Sequence, residues 1–514
     1  MVLELIIALM ALASTSDGAG ENDKEFKDMC ELYTMLIQPV TEPTLIPQQG
    51  AAAQTLAQEI LKIKTQIVRI NLTVLEKPMS DALADKAKFD TPDKLIEQAK
   101  GVKDYFLPLD DDTRQLMLAV SREDAGPNSD GAKFAKAFRL PLAAGKKQQL
   151  QKPIANLAAT AFSTLKRVQL KQQAVEQARK RAREHMLKAV YGGAYSPGTT
   201  PAEILTAQPW PVPTLAAAFP WANDNKDNNC KEAGESGAKS GSALATDMLC
   251  ICTVTSSSTS NGFCTGFANP GNQLSGSIAP AAAEGKWKEL EKLCTTFVDT
   301  APQTPAPEQL TTAVAKIFGH LGKNLKAIAS APDQSAITGA QANILGYYTL
   351  TSAAPQCVSN SADATTAATK GVCIDYGKAL KKKDGVAWVV QVKKAAQELS
   401  NIKHMFSDAL TLLRSAENIA TQMESLLLMG NLLTAAPRTG PEEGSEQPTV
   451  EDQNKCAKFN SNETDCTTNG CNYEKTKKEC KPKAGSECTA AAGTQGEQAG
   501  GKNGTIQSKT GESL

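Results

Sequence analysis

The stretch LSNIKHMFSDALTLLRSAENIATQMESLL, Leu399 to Leu427, decides the fold. Its apolar residues fall at Leu399, Ile402, Phe406, Ala409, Leu413, Ala416, Ala420, Met423 and Leu427, steps of three and four that keep one stripe along an underwound helix. Two other segments carry the same spacing. One is Leu56, Ile60, Ile63, Ile67, Ile70, Val74; the other is Ile154, Ala158, Ala161, Leu165, Val168, then Val175, Ala182, Met186 and Ala189, interrupted at Gln172 and Arg179. At the helical rise the seams predict helices of at least about 27, 52 and 42 Å in chain order. Ala and Leu at seam positions allow close helix approach, while Gln66, Arg69, Gln173, Lys180, Arg183 and Glu424 fall off the stripes and are expected to face water.

The predicted fold class is therefore mostly α: an elongated bundle of long coiled-coil helices. Composition agrees, with 41% hydrophobic but only 5% aromatic residues in 514. Residues from about Gly192 to Thr300 change texture to Pro, Gly, Ser, Asn and Thr, and predict an irregular, disulfide-pinned lobe between the second and third seams. AAPRTGPEEGSEQPTVEDQ, Ala435 to Gln453, is a linker by composition. The expected organisation is a signal peptide over about 1–18, a helical domain over 19–434, a linker over 435–455, a small cysteine-rich domain over 456–488 and a disordered tail over 489–514.

The signal peptide is read from MVLELIIALMALA, an apolar run of h-region length ending in a small-x-small pattern, although its start lacks Lys or Arg. Export makes the thirteen cysteines candidates for disulfides. The candidates are Cys30, Cys230, Cys250, Cys252, Cys264, Cys294, Cys357 and Cys373 in the first domain, and Cys456, Cys466, Cys471 and Cys480 in the second, with Cys488 left odd. Spacing leaves the pairing open, though Cys357 and Cys373 are placed to close a short loop on each other. A zinc module is the rival reading of the last quartet, but it offers no histidine and no C-x2-C pair. Sequons at Asn462, Asn503 and Asn71 are N-glycosylation candidates, Asn462 foremost because it lies in a loop-rich segment.

Other chemistry is not indicated. The three histidines, His185, His320 and His404, stand apart without ligand spacing, and no phosphate-binding loop occurs. No catalytic residue, cofactor or metal site is expected. The net charge of +0 supplies no field for nucleic acid, and ARKRAR, Ala178 to Arg183, reads as a solvated helix face.

The order of parts, with ATDMLCIC (Ala245 to Cys252), KWKELEKLC (Lys286 to Cys294), a polar linker and a lysine-rich four-cysteine domain, resembles the African trypanosome variant surface glycoproteins, with a class B-like N-terminal domain. The resemblance implies a glycosylphosphatidylinositol-anchored homodimer or homotrimer on the outer leaflet of the plasma membrane. It also implies a shielding role, met by host antibodies and varied to evade them. A surface receptor for a host macromolecule or nutrient is the alternative. The chain as written ends in GTIQSKTGESL, without the apolar tail of about 10–20 residues that anchor attachment requires; a chain cut before its tail is the expectation.

Overall fold

The computed structural model describes residues 20–45, 52–97, 101–123, 126–194, 216–234, 237–255, 262–265, 273–297, 303–327, 339–350, 355–359, 371–432, 456, 458–460, 462–469 and 471–482. The expected signal peptide, linker and tail, parts of the expected lobe including residues 256–261, Cys488 and Asn503 lie outside them. The chain divides into two compact units, with the division between Leu433 and Thr434.

In the first unit the helices are α1 (Asp23–Leu36), α2 (Leu56–Val74), α3 (Asp111–Ser121), α4 (Ala144–Tyr191), α5 (Leu244–Cys252), α6 (Pro280–Phe297), α7 (Pro307–Phe318) and α8 (Ala387–Leu432), with shorter helices between α2 and α4. The 48 residues of α4 and 46 of α8 outrun their seams, reaching about 72 and 69 Å. Their mutual register is antiparallel. Lys171 meets Asp408, Arg181 meets Glu398 and His185 meets Gln391, so one number rises as the other falls. Local sequence starts and stops these elements. At the head of α2, Thr55 Oγ1 accepts from the Gln58 amide while Gln58 Oε1 accepts from the Thr55 amide. At the end of α4, Gly192 takes a φ of +65°, and a side chain there would press on Ala243 and the Ser242 carbonyl.

Along the paired helices the apolar stripes bury two cores. The lower one joins the α2 seam to Ile154–Val168 of α4 and Ala409–Leu427 of α8. An upper core collects Val175–Tyr191 of α4, Val386 with Trp388–Ile402 of α8, and much of α1, α5, α6 and α7. Half-buried Phe406 packs against both. The break between them on α4 falls at half-exposed Gln172, where the seam itself is interrupted. A third cluster packs α2 against α3 and the short helices.

One expectation is overturned. Arg183 does not face water but is fully buried, and Arg179 nearly so. Arg183 donates to the carbonyls of Leu36 and Gln38, and Arg179 donates twice to that of Val40. The physical reason is the end of α1, whose last carbonyls lack helical partners and carry the negative end of the dipole. Two guanidinium groups one turn apart on α4 satisfy this exit, so ARKRAR is an internal clamp on half its circumference. Arg181, on the opposite side, does reach solvent, bonded to Glu398 at 2.9 and 3.0 Å. Arg183→Leu should therefore lower stability by about 2–4 kcal/mol, because one buried and one half-buried carbonyl lose a charged donor. Urea unfolding of the variant beside wild type measures this, and coincident curves would rule the clamp out.

The lobe is more regular than its texture predicts. It holds α5 and α6, and beyond it in sequence lies a sheet in which β2 (Ile344–Leu350) sits between β1 (Leu325–Ala327), parallel, and β3 (Gly371–Asp375), antiparallel. The second unit is small, with α9 (Glu463–Thr468) and a hairpin of β4 (Cys471–Glu474) and β5 (Glu479–Pro482) around a core of four half-cystines.

Candidate functional site

The head of the first unit is where sequence chemistry converges. Every residue of α5, LATDMLCIC, is buried, as expected of a helix apolar on all sides. Cys250 and Cys252 stand two residues apart, about 200° around the helix, and so bridge in opposite directions. Cys250 pairs with Cys230, and Cys252 with Cys264. Cys30 of α1 pairs with Cys294 of α6, and Cys357 with Cys373 of β3. Two of these bridges close the bases of the segments containing 256–261 and 360–370. The staples thus hold the roots of both segments on a buried scaffold.

Two polar residues organise that scaffold. Asn22, wholly buried ahead of α1, donates to the carbonyls of Ile251 and Val372 at 2.7 and 2.9 Å and accepts from the Tyr347 amide at 2.7 Å. It joins α1, α5, β2 and β3. Asp247 of α5, also wholly buried, accepts from the Gly241 amide at 2.6 Å, from the Trp388 indole at 2.7 Å and from the Tyr376 hydroxyl. Gly241 makes its approach with φ +80°, where a Cβ would stand 3.0 Å from that of Ala233. Burial pushes the Asp247 carboxyl up to about 7, against the pull of its three donors. A third group joins Lys226, whose Nζ donates to Ser359 Oγ at 3.0 Å while that hydroxyl donates to Asp227 at 2.9 Å; burial brings the lysine down to about 8.

These are perturbed groups, but no reactant can touch Asp247 or Lys226, which are 0% and 1% exposed. Their polar atoms hold loops and helix ends together. His320 meets the Asp28 carboxylate at 2.7 Å, a pairing across 292 positions that spacing could not reveal. No serine, threonine or cysteine joins that pair by a hydrogen bond among the described residues. His185 bonds Gln391, and His404 is exposed on α8.

In the second unit Cys456 pairs with Cys471 and Cys466 with Cys480. The sulfurs of Cys456, Cys471 and Cys480 lie within 4.8 Å of one another, yet a disulfide sulfur is not the thiolate that zinc requires. Asn462 is exposed at the start of α9, its Oδ1 accepting from the Asp465 amide at 3.2 Å. Asn71 is different. It is 4% exposed inside α2 and its Nδ2 donates to the Tyr105 hydroxyl at 2.7 Å, so this packing has no place for a glycan and the candidate is withdrawn.

Asn22, Asp247 and the two clamping arginines have no motif around them; a polar residue within an apolar run, as in ATDMLCIC, is the nearest signal. Among the described residues, no helix is long and apolar enough to cross a membrane.

The sequence model of the Trypanosomal VSG domain matches residues 5–417. Variant surface glycoprotein YnAT 1.3 of Trypanosoma congolense is 26% identical over 220 residues, covering 42% of this chain and 49% of that protein. The chain thus aligns with about half the length of the curated relative it matches.

Proposed function

This chain belongs to the trypanosomal VSG domain family, and from that premise we propose that it is a non-enzymatic surface coat glycoprotein that shields the cell and evades antibodies by replacement with other variants. The observation that carries the proposal is the family match from residue 5 to 417, through α4, the stapled head and the first two thirds of α8. The architecture suits the role physically. A rigid pair of helices acts as a spacer, and a disulfide-rooted head tolerates sequence change in its loops. Host antibodies are the partners expected at those loops, and a glycosylphosphatidylinositol anchor is the expected tether to the outer leaflet. The domain limits proposed are a signal peptide to about residue 18, the coat domain over 19–434, a linker over 435–455, the cysteine-rich module over 456–488, glycosylated at Asn462, and a tail over 489–514.

Coat proteins of this kind are proposed to associate with themselves. Light scattering of the purified chain should give the mass of a homodimer or homotrimer, and mass spectrometry of unreduced peptides should return no free thiol at the twelve candidate cysteines. A strictly monomeric chain at high concentration that co-purifies one host ligand in stoichiometric amount would replace the coat reading with the receptor reading.

A further inference from the structure

The net charge of +0 hides a local excess. Residues 131–175 contain nine Lys and Arg and no Asp or Glu, and α8 carries no charge after Glu424. Antiparallel pairing brings these stretches together at the end of the bundle opposite the head, where α4 begins at Ala144 and α8 reaches Leu432. Phe134 and Phe138 pack the Asp130–Ala137 helix onto the same lower core as Leu150 and Leu427, so Lys133, Lys136, Arg139, Lys146, Lys147 and Lys152 gather round this end. Carboxylates close by are engaged, Asp130 with Lys133, Asp81 with Lys77 and Glu76 with Gln151. Lys136, Arg139 and Lys152 are exposed, Lys147 is half-buried, and none of these four makes an ion pair among the described residues.

The same end also presents apolar surface. Leu428 and Met429, near the end of α8, are 48% and 50% exposed although their neighbour Leu427 is fully buried. A second copy of this chain would meet like charge across such a surface, and a soluble polyanion would leave both apolar side chains in water. A bilayer with anionic headgroups satisfies both features, since its phosphates take up the cations while the leucine and methionine enter the headgroup boundary. We propose that this end of the bundle is a peripheral docking surface for an anionic lipid bilayer. The contact lies on the membrane, because no helix among the described residues is long and apolar enough to cross one. It goes beyond the coat reading and requires no lipid anchor, so either can fail without the other.

Co-sedimentation of the full chain with vesicles tests this, comparing phosphatidylcholine alone with phosphatidylcholine carrying about one third phosphatidylserine. Binding should be at least about tenfold tighter to the anionic vesicles and should weaken as salt is raised. Each cation near an anionic surface contributes about fivefold, so Lys136→Gln, Arg139→Asn, Lys147→Gln and Lys152→Gln together should weaken binding by about a hundredfold or more. Asparagine is chosen at Arg139 because it tolerates the φ of +51° there. Leu428→Ser with Met429→Ser should weaken binding by about tenfold at constant charge. Lys381, Lys383, Lys393 and Lys394, exposed at the head end, supply the control; their replacement by Gln should change binding by less than about twofold, since salt screens charges that far from the contact. If the fourfold variant loses helicity by circular dichroism, Lys136→Gln with Lys152→Gln, both at exposed positions, decides instead. The proposal is overturned if wild type does not sediment with the anionic vesicles or sediments equally with neutral ones. It is also overturned if the head-end variant weakens binding as much as the basic-end variant, or if heparin retains the chain while anionic vesicles do not.

Discussion

Leu413→Asp should destabilise the bundle by more than about 5 kcal/mol, because it removes a buried leucine worth about 2–3 kcal/mol and places a carboxylate without partners in an apolar seam. Leu413 is 4% exposed and packs in the lower core with the α2 seam and Ile154–Val168 of α4. A loss of that size rivals the whole stability of an ordinary domain. The two cores are distinct, so the effect should be regional. Trp221, Trp287 and Trp388 all belong to the upper core, and their emission should stay native-like while far-ultraviolet helicity falls. Arg414→Asp is the adjacent control; Arg414 is exposed, and its loss should change stability by no more than about 0.5 kcal/mol. If Leu413→Asp melts with Arg414→Asp, the seam does not hold the helices together.

The second large effect belongs to Asp247. Replacing it with alanine leaves the Gly241 amide, the Trp388 indole and the Tyr376 hydroxyl without their acceptor inside the upper core. At about 1–2 kcal/mol for each orphaned donor the expected loss is about 3–6 kcal/mol. Here the tryptophan emission should shift with the loss, the reverse of Leu413→Asp. The pH dependence has a definite sign. The folded value is raised to about 7 by burial, whereas an unfolded aspartate titrates near about 4. Between those limits the folded chain binds the extra proton, so this group's contribution to stability falls as pH rises from about 4 to about 7, then levels off. Asp247→Asn should remove that slope. Denaturant titrations of wild type and variant at pH 5 and pH 8 supply the comparison, and an identical slope in both would place the carboxylate outside the folded core.

The long helices were legible because their seams repeat over many turns, and nearly every seam residue is buried, Phe406 and Ile60 being half-exposed. Periodicity weighs a side chain by polarity, however, and cannot see what distant carbonyls require. Arg179 and Arg183 read as solvent-facing for that reason, when the exit of α1 needed them. Leu244–Cys252 gave no helical signal because a helix buried on every side has no amphipathic period. Asn22 and Asp247 were illegible for another cause: Asn22 bonds residues 229 and 350 positions away, and Asp247 one 141 away. Disulfide pairing shares that limit, since α1 and α6 meet across 264 positions.

The antiparallel register of α4 and α8 has a genetic corollary. Tyr191 ends one helix and Ala387 begins the other at the same end of the pair, so everything encoded between them is a cassette with adjacent entry and exit points. Because the pairing of Lys171 with Asp408 and of Arg181 with Glu398 is written within the helices, cassette length need not be conserved. Closing a longer insert costs only logarithmically, about 0.6 kcal/mol for each doubling. Recombination could therefore exchange the cassette wholesale, provided the incoming segment returns an acceptor for the Trp388 indole and a cysteine for Cys30.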